Sequence, residues 1–95
     1  TLRLGKMNIH QQVLNKFGER NQKDMLIEEM AELMQALQKE RRGLEHNISE
    51  EIADVQIVLD QIKLLYPDWI SWEQVKLKRL DELLTPPQRM GDKEG

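Results

Sequence analysis

Between a small number of glycines and prolines, the apolar residues of this chain return at steps of three and four, and the alternation that marks a strand is almost absent. That step is the period of a helix with one buried face. An all-α fold is therefore expected, with four helices separated by the few breaker residues. The first is expected from about Asn8 to Phe17, with Ile9, Val13, Leu14 and Phe17 on one face and Gly18 where a left-handed cap is wanted. The second begins near Asn21 or Lys23 and continues to about Arg42, where Gly43 stops it. The third is capped by Asn47 or Ser49, has Glu50 and Glu51 at the positive end of its dipole, and runs to Tyr66 before Pro67. The fourth opens at Ser71, three residues before Gln74 in a capping-box spacing, and closes near Leu84.

At 95 residues a single domain is expected over 1–95, with a helical core over about 8–84 and a mobile tail over 85–95, where the periodicity stops. Met7 reads as a natural start with a few residues ahead of it. A lone core of this size is only marginally stable, so burial against another copy is expected. Ala53, Ile57 and Leu64 add a second apolar stripe to the third helix, and a helix apolar on two sides is normally buried on two sides.

Composition removes several chemistries. Without cysteine there is no disulfide framework, thiolate nucleophile or thiolate-held metal. Two histidines, His10 and His46, supply a Ser-His-Asp triad or a multi-histidine metal site poorly. Neither stands in a Glu-x-x-His motif, which argues against a ferritin-like di-iron bundle. No apolar run approaches the ~20 residues that span a bilayer, and no signal peptide is read, so a cytoplasmic protein without a membrane partner is expected. With 17 acidic against 14 basic residues the formal net charge is −3, and nucleic acid is not expected as the partner.

The acidic residues carry the chemistry. Glu28-Glu29-Met30-Ala31-Glu32 on the second helix is echoed by Glu50-Glu51-Ile52-Ala53-Asp54 on the third. At about 100° per residue, Glu29 falls on the border of the stripe formed by Leu26, Met30, Leu33 and Leu37, and Glu32 one step further round. Glu51 falls inside the arc of Ile48, Ile52, Val55, Val58, Leu59, Ile62 and Tyr66, and Asp54 at its edge. Glu28 and Glu50 point further outward. Carboxylates facing a core are costly unless paired, and four converging from two antiparallel helices would repel one another. No lysine or arginine is interleaved to pair with them, so the natural partner is a hard divalent cation, Mg²⁺ first, with Mn²⁺ as a substitute. The eighteen residues between Glu32 and Glu51 suffice to fold the two half-sites face to face. The competing explanation is a pair of solvated acidic surfaces, which Glu-Glu pairs on helices usually are.

These residues resemble a known family, the all-α nucleoside triphosphate pyrophosphohydrolases of the MazG-like group. Its signature of Glu-Glu-x-x-Glu, a spacer and Glu-x-x-Asp is matched by EEMAE at 28–32 and EIAD at 51–54, and the similarity extends over roughly residues 8 to 84. The resemblance implies a four-helix MazG-like bundle assembled as a homodimer or a dimer of dimers. It implies hydrolysis of a (deoxy)nucleoside triphosphate to monophosphate and pyrophosphate, as in nucleotide-pool house-cleaning. By the same analogy Glu29, Glu32, Glu51 and Asp54 hold Mg²⁺, and Glu28 orients or deprotonates the attacking water. Family members often carry Asn-x-Lys-apolar-x-Arg in the fourth helix. Here Lys76 and Arg79 match and are implied to bind the substrate's phosphates, while Gln74 replaces the asparagine. The competing explanation for that pair is a solvated basic face. Two other functions are consistent with the pattern: phosphoribosyl-ATP pyrophosphohydrolase, and a non-catalytic helical interaction module with a structural cation. Trp69 and Trp72 are expected to pack a turn or a subunit interface, and Met25, Met30 and Met34 to fill a core.

Overall fold

The computed structural model describes residues 8–85, and the expectations for residues 1–7 and 86–95 lie outside them. The described residues form four helices and no strand: α1 (Ile9–Phe17), α2 (Glu19–Arg41), α3 (Ile48–Lys63) and α4 (Trp69–Leu84).

Local chemistry explains the boundaries. Asn8 is extended and its side-chain oxygen accepts the Gln11 N–H at 2.9 Å, which caps α1 one residue after the expected start. Gly18 then serves two helices at once. Its N–H closes α1 on the Leu14 carbonyl at 2.9 Å, and its own carbonyl accepts the Gln22 N–H at 3.1 Å. Its φ of +93° with ψ 152° is a backbone state reserved for glycine. Because one residue makes the whole connection, α2 starts at Glu19 rather than near Asn21 or Lys23. Gly43 ends α2 as expected, at φ +74°. The Leu44 N–H returns to the Lys39 carbonyl and the Gly43 N–H to the Glu40 carbonyl, each at 2.9 Å, which is the Schellman arrangement.

Two other boundaries differ from expectation. α3 stops at Lys63 instead of Tyr66, because the Leu64 and Leu65 N–H groups fall back to three-residue bonds on Gln61 and Ile62 ahead of Pro67. α4 opens at Trp69, with Asp68 in the cap position, so Ser71 lies inside the helix and the Ser71–Gln74 capping box does not start it.

α2 and α3 form an antiparallel hairpin, with α1 packed across both. The seam of α2 is Gln22, Leu26, Glu29, Leu33 and Ala36, all buried or half-buried, while Met30 and Leu37 are exposed. The seam of α3 is Glu51, Val55, Val58, Gln61 and Ile62, while Ile52 and Tyr66 are exposed. The stripes read from apolar residues alone are thus turned by about 50° of helical rotation, since the polar Gln22, Glu29, Glu51 and Gln61 belong to the buried face. Among the described residues the buried apolar ones are Leu14, Ala36 and Val58. That is a small core for a chain of this size.

α4 stands apart. It makes at most marginal contact with the other helices and buries no residue. Leu83 and Leu84 are 75% and 83% exposed. Its first turn is tethered by Lys63, whose Nζ sits 4.1 Å from the centre of the Trp69 ring. The bundle within one chain therefore has three helices, with the fourth beside it.

Candidate metal centre

The antiparallel seam decides which carboxylates meet. Glu29, two turns past Gln22 on α2, faces the first two turns of α3, where Glu51 and Asp54 lie one turn apart. One carboxylate oxygen from each of Glu29, Glu51 and Asp54 falls within 4.8 Å of the others. Opposite oxygens around an ion with bonds of ~2.1 Å stand ~4.2 Å apart, so a small contraction would bring all three onto one centre.

The cluster is short of partners. Glu51 is only 9% exposed, and its Oε1 is buried without a hydrogen-bond donor, as is Glu29 Oε1. Glu51 Oε2 accepts from Asn47 Nδ2 at 2.7 Å, and Asp54 is half-buried. Burial raises the Glu29 carboxyl above its ordinary range, and the charges of Glu32, Asp54, Glu51 and Glu28 push it in the same direction. Lysine and arginine are missing from the pairing: the ion pairs of the described residues are His10–Asp60, Lys23–Glu19 and Lys63–Asp60. Orphaned buried oxygens, mutual repulsion and an all-carboxylate donor set fit a hard divalent cation such as Mg²⁺ or Mn²⁺.

The remaining expected site residues fall outside this trio. Glu32 is exposed one turn along α2, close enough for its charge to act on Glu29. Glu28 is exposed on the outer side of Glu29, and Glu50 is exposed beside Glu51. Lys76 and Arg79 are exposed on α4, which does not pack on the acidic end of the hairpin. Trp69 packs at the α3–α4 turn as expected, whereas Met30 and Met34 are exposed rather than core residues.

Two features were not read from the sequence. Gln22 Nε2 donates to Gln61 Oε1 at 2.7 Å in the buried part of the same seam. Asn47 occupies the N-cap position as read, but its side chain accepts no backbone N–H, and its Nδ2 donates to Glu51 and Glu50. The four-residue spacing of Asn47 and Glu51 was the available signal. The histidines stand elsewhere: His10 Nε2 is 3.8 Å from Asp60 Oδ2, and His46 Nδ1 accepts the Ile48 N–H at 3.5 Å. A shallow basic depression lined by Gln38, Arg41 and Arg42 lies at the far end of α2, about 18 Å along the helix from Glu29.

Compared with family models, curated proteins and solved structures, the chain matches none.

Proposed function

We propose that this chain is a Mg²⁺-dependent nucleoside triphosphate pyrophosphohydrolase of the MazG-like kind, converting a (d)NTP to (d)NMP and pyrophosphate. The observation that carries the reading is the convergence of Glu29, Glu51 and Asp54 with two buried oxygens lacking donors. These three residues, with Glu32 joining from one turn away, would hold the cation. When bound, it neutralises the polyphosphate and lowers the pKa of bound water. The chain's own part is positioning and proton transfer. Water attacks the α-phosphorus, the α–β anhydride bond breaks, pyrophosphate leaves, and the water's proton passes to Glu28, whose solvent-facing carboxylate can release it. Lys76 and Arg79 are suited to grip the leaving phosphates once α4 is drawn against a bundle.

The assembly that draws it in is a homodimer or a dimer of dimers. Ile27, Met30, Met34 and Leu37 form an exposed apolar stripe on α2, and α4 exposes Ile70, Trp72, Leu77 and Leu80, uncovered by the other described residues. An isolated helix of this length is marginal in water. The same exposed surface favours a second reading, a helical interaction module in which the cation is structural.

The two separate in one assay. Each NTP and dNTP is incubated with Mg²⁺ and pyrophosphate release is measured. The enzyme reading expects release from at least one of them, lost by about 100-fold or more in Asp54→Asn, with the helical signal retained. No release from any would overturn it in favour of the module.

A further inference from the structure

We infer that Asn47 is the positioning residue of the carboxylate cluster, fixing Glu51 so that one oxygen is tied and the other left open to a cation. The inference rests on the reading of that cluster as a divalent site. Asn47 occupies the N-cap position of α3, where its side chain would ordinarily accept a backbone N–H, yet it makes no such bond. His46 stands in for it, its Nδ1 accepting the Ile48 N–H at 3.5 Å. The Asn47 Nδ2 donates to Glu51 Oε2 at 2.7 Å and, more weakly, to Glu50 Oε1 at 3.3 Å. Its backbone carbonyl also accepts the Glu51 N–H at 3.0 Å. Glu51 is thus held by the same residue from both its main chain and its side chain.

The consequence is an asymmetric carboxylate. Oε2 is satisfied and Oε1 is buried with no donor. A neutral amide is the donor chemistry such a task requires. A lysine in its place would neutralise the charge a cation needs, and an aspartate would add repulsion. Partners that orient a ligating carboxylate in this way commonly change metal affinity by about 10–100-fold when removed.

The test uses the full chain with Asn47→Ser, which keeps a capping oxygen but is too short to reach Glu51. Asn47→Gly is the second variant, because glycine is also tolerated at a helix N-cap. Mg²⁺ affinity is measured by titration calorimetry, and thermal unfolding in EDTA reports the structural role separately. The expected result is a Kd weakened by about 10–100-fold in both variants, with the melting temperature in EDTA little changed. A Kd within twofold of the parent in either folded variant overturns the role of Asn47 and leaves the cation site standing. If the parent itself binds no Mg²⁺, the cation site falls and this inference falls with it.

Discussion

The seam between α2 and α3 is crossed twice by buried polar side chains, about 10 Å apart along α2, and the two crossings resolve their burial in opposite ways. At Gln22 and Gln61 one amide donates and the other accepts, at 2.7 Å, and Gln22 Oε1 accepts from Asn21 Nδ2 at 3.4 Å, so this neutral crossing finds its partners within the chain. At Glu29, Glu51 and Asp54 every side chain is an acceptor, and two buried oxygens find no donor. Both crossings cost desolvation, but only the first repays it within the chain. A polar group that a fold buries and does not satisfy points to something the chain must acquire. The comparison separates a polar contact satisfied within the chain from one left open, on the same two helices and in the same seam.

Disrupting the closed crossing should have the larger effect on the fold. Gln22→Ala leaves the Gln61 amide buried without its partner and is expected to cost about 1–3 kcal/mol in urea unfolding, with Mg²⁺ affinity unchanged. Replacing both residues by leucine should restore most of that loss, since the unmet polar group disappears along with its partner.

The open crossing behaves the other way, and its effect is smaller. Glu29→Gln removes one repelling charge and should raise stability in EDTA, by less than about 1 kcal/mol because the site is partly solvated. The sign with pH follows from the direction of the shift. Burial and neighbouring charges raise the Glu29 carboxyl in the folded chain, while the unfolded chain keeps it near 4.5. The folded state therefore binds this proton more tightly, so the residue's unfavourable contribution is absent below about 4.5 and grows as pH rises through its raised value. Thermal unfolding in EDTA, scanned upward from pH 4.5, should show parent stability falling relative to Glu29→Gln, and saturating Mg²⁺ should remove that relative fall. A difference between the two proteins that does not vary with pH would mean that Glu29 is not under repulsion.

The sequence made much of this legible, and the failures have a common cause. Gly43 announces the end of α2 because the Schellman turn needs a residue at positive φ. Glu51 was placed on the buried face because the apolar residues of α3 surround it closely. The α2 stripe was misread because periodicity was counted on apolar residues alone. Gln22, Glu29 and Ala36 mark the true seam, and omitting the first two rotates the apparent face toward Met30 and Leu37. Glu29 and Glu32 were paired as ligands by the family resemblance, and here they part: Glu32 is exposed and Glu29 half-buried. Ser71 looked like a helix start because its spacing to Gln74 is right. Yet a local box does not decide a boundary when Trp69, two residues before Ser71, is already held on Lys63. The separation of α4 could not be read at all, because amphipathic spacing reports that a face needs covering and not which surface covers it.

The central claim is that Glu29, Glu51 and Asp54 form one divalent-cation site, and its most direct measurement is the melting temperature of the full chain titrated with MgCl₂ against an EDTA reference. The account predicts a saturable rise, equivalent to about 2.7 kcal/mol when free Mg²⁺ reaches a hundred times its Kd, and the loss of that rise in Asp54→Asn. A melting temperature indifferent to millimolar Mg²⁺, or a rise that persists in Asp54→Asn, would contradict it.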